Sequence, residues 1–247
     1  MALAATPGGS TLTELAARLQ LPKTSLHRLL RTLARGGYLA SEGTVYHLGP
    51  TSFELAGLIR GAAPSQTFPA CARPVIEELA RDSEETVMLG VLSGEPPEIL
   101  YVDVIESEAP IRFTLAIGDR RPLYCAASGK AALAFLPAGK QADYLARTDF
   151  TTFTPSTSRK QDMPALLREA RRTAVAFDDG GKVAGASGIA GPVFGRQGEV
   201  LGAVSVAGPS ERIAARRAEM ETLVKRAADR ITRLAGYGEA YPPVRAD

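Results

Sequence analysis

The sequence predicts an α+β chain of two unequal parts, a short N-terminal run of two helices and a hairpin followed by a larger part in which helices and strands alternate. Three observations carry this. Apolar residues recur at three- and four-residue spacing over the first 35 positions, the mark of amphipathic helices. A breaker, Gly61-Ala62-Ala63-Pro64-Ser65, interrupts the pattern. Beyond it, strand-like runs outnumber those of the first part, and three of them follow one another as an antiparallel meander would.

In the first part, Leu12, Leu15, Ala16 and Leu19 define one helix, with Thr11 or Ser10 as its cap. Gln20-Leu21-Pro22 interrupts it, because the residue before a proline avoids helical geometry while proline suits a first turn. Leu26, Leu29, Leu30 and Leu33 form the apolar stripe of a second helix, which Gly36-Gly37 ends. Tyr38-Leu39-Ala40 and Val45-Tyr46-His47-Leu48 flank a reversal at Ser41-Glu42-Gly43-Thr44 and predict a hairpin, the wing of a winged helix-turn-helix. A linker helix over Ser52 to Arg60 follows. The expected division is 1–50 for this domain, 51–64 for the linker and 65–247 for the larger domain.

In the larger part a helix is expected from about Pro69 to Arg81, then strands at Thr86–Leu92, Ile99–Ile105 and Ile111–Ala116. Helices are expected at Ala126–Leu136, Ala138–Ala146 and Pro164–Ala174. Two late strands, Ile189–Phe194 and Val200–Ala207, precede one final helix over Ser210–Leu234.

The 247 residues, 45% hydrophobic and 23% charged, exclude a disordered or fibrous chain. Two cysteines, Cys71 and Cys125, are too few for a disulfide framework and lack zinc-ligand spacing, so no metal or cofactor is expected and a reducing cytoplasm fits. No apolar run approaches the roughly 18 residues of a membrane span, so no membrane partner is expected. Net charge is only +2, yet residues 1–50 hold five cations against two acids. The basic excess is concentrated in the helix-turn-helix segment.

On the second helix the leucine stripe fixes the core side, which leaves Lys23, Thr24, Ser25, His27, Arg28, Arg31 and Arg35 facing solvent. Cations seek phosphates, and short hydroxyls approach base edges in a major groove that admits one helix. The candidate DNA-binding residues are therefore Lys23, Thr24, Ser25, His27, Arg28 and Arg31, with the first-turn residues and Arg28 nearest the bases. The alternative is a solvated charged face without a partner.

The motifs Leu12-Thr13-Glu14-Leu15-Ala16, Leu21-Pro22-Lys23-Thr24-Ser25-Leu26-His27-Arg28-Leu29-Leu30, Gly37-Tyr38-Leu39 and Tyr46-His47-Leu48-Gly49-Pro50 occur in that order. They resemble the winged helix-turn-helix of the IclR family of transcriptional regulators. Pro122-Leu123-Tyr124-Cys125-Ala126-Ala127-Ser128-Gly129-Lys130-Ala131, Ile189-Ala190-Gly191-Pro192-Val193-Phe194 and Gly202-Ala203-Val204-Ser205-Val206-Ala207-Gly208-Pro209 extend the resemblance over almost the whole chain. In one respect the chain departs from the family, which usually has a full helix where only Met1 to Ala5 precede Thr6-Pro7-Gly8-Gly9. Either the start is misassigned or the helix is absent, and if it is absent Leu15, Leu26 and Leu30 are expected to lack part of their apolar cover.

The resemblance implies a GAF/PAS-like second domain, a six-stranded antiparallel sheet with flanking helices and a pocket for a small organic effector. It places Leu115, Ala127, Ser128, Asp178, Ala186, Gly188, Ser205 and Ala207 around that pocket. Backbone N–H groups and a hydroxyl at Ala127-Ser128-Gly129 offer a seat for a carboxylate, and Gly188, where the family often has a larger residue, implies added free volume. Ser128 and Ser205 are equally readable as a helix cap and a strand residue that satisfies its neighbours. Asp178 and Asp179 are either ligand acceptors or solvated turn residues.

No catalytic residue is expected. Cys125 has no base within reach, because both histidines, His27 and His47, lie in the first domain. The resemblance implies a homodimer or homotetramer that binds double-stranded, palindromic operator DNA and senses a carboxylate or aromatic effector. The alternative is a small-molecule-binding or interaction protein whose shortened N-terminal domain no longer binds DNA.

Overall fold

The computed structural model describes residues 3, 6, 8–55 and 67–243. The chain divides into two compact units, Met1–Pro64 and Ser65–Asp247.

In the first unit, β1 (Ser10–Thr11) leads directly into α1 (Leu12–Leu19). Thr11 is the cap: its hydroxyl accepts from the Glu14 N–H, and the Glu14 carboxylate accepts from the Thr11 N–H at 2.8 Å. This reciprocal pairing satisfies two otherwise orphaned donors. Gln20, in the left-handed region, closes α1, and Pro22 precedes α2 (Lys23–Arg35). Gly37, with φ +72°, turns the chain into the hairpin of β2 (Leu39–Glu42) and β3 (Val45–Leu48). The sheet order is β1-β3-β2, so two residues just before the first helix add a strand that the sequence pattern does not reveal. Helix α3 begins at residue 50 and is described to residue 55. The rest of the expected linker helix, 56–60, and the expected breaker at 61–65 lie outside the described residues.

Leu15, Leu26 and Leu30 are only 2%, 1% and 4% exposed. The expected loss of apolar cover does not occur, because Leu39, Leu12, Leu33, Tyr46 and Leu48 close around them. Leu29 differs from expectation in the other direction, being 50% exposed. Leu26, Leu30 and Leu33 already fill the face against α1 and the hairpin, which leaves Leu29 on its flank.

The second unit is a six-stranded antiparallel sheet with helices on both faces. Its strands are β4 (Thr86–Ser93), β5 (Glu98–Ile105), β6 (Arg120–Pro122), β7 (Ala176–Asp179), β8 (Ala186–Phe194) and β9 (Val200–Pro209). The order is β6-β5-β4-β9-β8-β7. Strand alternation sorts the core into two layers. Val87, Leu89, Val204 and Val206 face α4 (Arg73–Ser83), α8 (Ser210–Ala215) and α9 (Arg217–Leu234). Met88, Ala203 and Ala207 face α5 (Ala127–Ala134) and α7 (Met163–Thr173). Helix α6 (Ala138–Arg147) adds Tyr144 to that second layer.

Ile111–Ala116, expected as the third strand, is irregular, and β6 takes its place in the meander. Thr86 Oγ1 donates to the Phe113 carbonyl at 2.6 Å, which diverts this stretch from the ladder. Gly118, with φ +95°, then turns the chain so that its N–H meets the Tyr101 carbonyl at 2.8 Å and the next residues pair with β5. The expected final helix is broken at Arg216, where φ is −114°. Strand β7 and the first three residues of β8 were not expected: β7 is only four residues long, and the glycines of residues 185–191 hide the alternation of β8.

Gly202 sits on β9 opposite Val91 of β4, its antiparallel neighbour, and a Cβ there would collide with the Gly90 carbonyl oxygen. Since backbone cannot move aside as a side chain does, Gly202→Ala is expected to destabilise the protein by more than about 2 kcal/mol. Urea unfolding measures this, and an unchanged midpoint would contradict the close approach of the two backbones.

Candidate ligand cavity and nucleic-acid interface

Lys23, Thr24, Ser25, His27, Arg28 and Arg31 are all exposed on α2, as is Arg35. Arg28 stands two residues beyond buried Leu26, about 200° round the helix from it. Among the described residues none of these four cations has an acidic partner. The first turn of α2 carries no acid and its N-cap, Pro22, offers no side-chain acceptor, so the N–H groups of residues 23–25 stay open. An uncapped N-terminus and unpaired cations sum to one positive surface, suited to phosphate oxygens.

In the second unit, Leu115, Ala127, Ser128, Asp178, Ala186, Gly188, Ser205 and Ala207 all line a single cavity of about 50 Å³. Strands β7, β8 and β9 supply one wall and the start of α5 another. Gly188 opens into this space: a Cβ there would make only ordinary contacts, 3.5 Å from the Val206 oxygen and 3.7 Å from Ala127 Cβ. The glycine does add room, but the cavity stays narrow.

The structure separates the readings that the sequence left open. Ser128 is no cap, since the N-cap of α5 is Ala126; its hydroxyl lies 2.6 Å from the Tyr101 hydroxyl, both groups buried. Burial pushes the Tyr101 phenol up to about 12, so it remains protonated and able to donate. Ser205 Oγ donates weakly to the Met88 carbonyl at 3.4 Å. Asp178 is buried and pairs with Lys130, the two side chains being 9% and 4% exposed, and it accepts from the Gly181 N–H at 2.9 Å. Asp179 is the exposed one, and donation from Ser187 and Ser210 holds its carboxyl below the usual range.

Lys130, Tyr101, Arg121 and Lys182 are the site residues that sequence reasoning missed. Lys130 carried a usable signal, a lone cation in a helix otherwise of small and apolar residues, Ala127 to Ala134. Arg121 and Lys182 line the cavity without an acidic partner among the described residues. Lys182 lies over the Phe153 ring, 3.0 Å from its centroid. Burial, with the neighbouring Arg121 charge adding to it, pulls the Lys182 ammonium below its usual value. With Asp178 neutralised by Lys130, the lining carries uncompensated positive charge. Helix α5 has no side-chain cap, so the N–H groups at its first turn, beside Ser128, are further donors. The arrangement suits a small anion.

Cys125 lies behind this wall, and burial pushes its thiol up to about 11, which keeps it neutral near pH 7.

The comparisons agree with this geometry. Residues 62–233 match the C-terminal domain of the bacterial transcriptional regulator IclR, and residues 1–43 match the IclR helix-turn-helix domain. The chain belongs to the IclR family of transcriptional regulators, whose members bind operator DNA and small-molecule effectors. It is 32% identical to the HTH-type transcriptional regulator KipR of Bacillus subtilis over 234 residues, covering 92% of this chain and 90% of the relative. It is 29% identical to the transcriptional repressor IclR of Escherichia coli, covering 93% and 84%. A solved IclR transcriptional regulator from Alicyclobacillus acidocaldarius superposes with a TM-score of 0.83 at 25% identity, covering 95% of this chain and 98% of that one. No helix among the described residues is long and apolar enough to cross a membrane.

Removing one member of a buried ion pair strands the other charge. Lys130→Met is therefore expected to cost about 3–5 kcal/mol, and adding Asp178→Leu to recover most of it. Urea unfolding of both variants is the measurement; a single variant within about 1 kcal/mol of the native protein would contradict the pair.

Proposed function

We propose that the protein is a DNA-binding repressor that responds to a small organic anion, with a reader domain over residues 1–50, a linker over 51–64 and a sensor over 65–247. It works in the cytoplasm as a homodimer or homotetramer. Two copies of α2 enter successive major grooves of a palindromic operator, the half-site spacing mirroring the two-fold symmetry of the dimer. The observation that carries this reading is the surface of α2, on which Lys23, Arg28, Arg31 and Arg35 stand exposed with no acid among the described residues to neutralise them. Arg28 and the first-turn residues Lys23, Thr24 and Ser25 meet base edges, His27 lies on the flank, and Arg31 reaches the backbone. The E. coli relative is named a repressor, which favours that sign of regulation.

The effector enters the cavity beside α5, where its carboxylate accepts from the one free hydroxyl proton of the mutually bonded Ser128–Tyr101 pair and from the first-turn N–H groups, opposite Arg121 and Lys182. Its occupancy changes operator affinity, a coupling that is reciprocal by linkage. The site binds and does not turn over, for it offers no activated nucleophile: the Cys125 thiol is held neutral and the only two histidines lie in the reader.

A duplex enriched from a randomised pool by the native protein provides the DNA probe. In gel shifts at fixed salt, Arg28→Ala is expected to weaken its retention at least tenfold, a loss of about 1.4 kcal/mol, with the melting temperature unchanged. Retention equal to that of the native protein would remove α2 as the reader.

A further inference from the structure

The ligand cavity does not end at its rim. A second cleft of about 320 Å³ begins there, and the two share Phe113, Arg121, Val183 and Ala186 as walls. The two segments that bound this cleft, residues 111–114 and 183–186, hold apolar side chains out in solvent: Ile111 is 73% and Val183 42% exposed. Single exposed apolar residues are ordinary, but here they flank a groove continuous with a buried, positively charged cavity.

The two compartments differ in chemistry. The inner one, about 50 Å³, has room for a carboxylate and a short stem, given that one water needs about 10–15 Å³ of such space. The donors gather there, at Ser128 and Tyr101 and at the start of α5, with Arg121 at the junction. The outer cleft adds one more cation, Arg112, and that one is already paired with Glu106 at 3.1 Å. Apart from Thr114, its remaining walls are small or apolar, Ile111, Phe113, Val183 and Pro209 among them.

Resting on the reading of the inner cavity as the effector site, we infer that the effector is an amphiphilic monocarboxylate, its compact anionic head in the inner cavity and an apolar tail laid along the outer cleft. A tail that covers Ile111 and Val183 removes apolar surface from water on both partners, so affinity grows with tail length until the cleft is full. A second carboxylate at the tail end would lie against that apolar wall with Arg121 engaged by the head and Arg112 by Glu106, and dicarboxylates are selected against.

Titration calorimetry of the full chain with acetate, butyrate, hexanoate, octanoate and adipate tests this, alongside Ile111→Ser and Gly188→Leu. About 0.8 kcal/mol per fully buried methylene corresponds to a fourfold change. Each added methylene beyond butyrate is expected to lower Kd two- to fourfold until the tail leaves the cleft, and adipate to bind at least tenfold more weakly than hexanoate. Ile111→Ser is expected to weaken octanoate at least fivefold and leave butyrate unchanged. Gly188→Leu, which fills the inner cavity, is expected to abolish binding of them all. Equal affinity for butyrate and octanoate, or adipate binding as tightly as hexanoate, would overturn the tail and leave the inner site standing. Binding that Gly188→Leu does not disturb, or no binding by any of the acids, would overturn the inner site and the tail with it.

Discussion

The buried pair of Lys130 and Asp178 is the contact on which the sensor's cavity depends. Every residue of α5 is buried, which a helix of such composition allows: alanine, serine and glycine let it settle close to the sheet, and Gly129 sits so near the Leu123 backbone that a Cβ would clash. A lysine in that setting is costly unless a carboxylate meets it. Asp178, on β7, does so, tying the helix to the sheet edge that bounds the cavity. The same contact removes the one acidic charge from the lining, and Arg121 and Lys182 then dominate its potential. An apparently structural ion pair thus sets the sign of the charge left in the cavity lining.

Charge is organised in the same way in the first unit. The chain as a whole is almost neutral, yet α2 concentrates cations on one side, keeps acids out of its first turn and leaves its N-terminus uncapped. Helix α1 shows the opposite treatment, with Glu14 drawn back onto Thr11 to close its N-terminus. One helix is finished internally and the other is left with donors and cations for an external anion. That asymmetry leaves α2, and not its neighbour, able to receive an external anion.

Much of this could be read from the residues alone, and the exceptions have physical causes. Periodicity located α1 and α2 because both are amphipathic and each is bounded by Thr11, Pro22 or Gly37, residues with one strong local preference. It failed at Ile111–Ala116, whose β-like composition is overruled by a hydrogen bond from Thr86 and by the left-handed turn at Gly118. Helix α2 shows a subtler limit: spacing put Leu29 in the core, but only the tertiary contacts say how wide the buried stripe is. In the cavity, family likeness supplied eight lining positions yet could not state their roles. That Ser128 bonds to Tyr101, or that Asp178 is spent on Lys130, depends on pairs 27 and 48 residues apart in the chain, and no local pattern encodes them.

The account stands on the donors at the start of α5 being free to receive a carboxylate. Amide NMR spectra of the isotopically labelled full chain, recorded while propionate is added, report on those groups directly. The N–H resonances of Ala127, Ser128 and Gly129 should move saturably and together, with those of α2 unmoved in the absence of DNA. If propionate leaves these three resonances in place while shifting others on the surface, the cavity beside α5 is not the anion site.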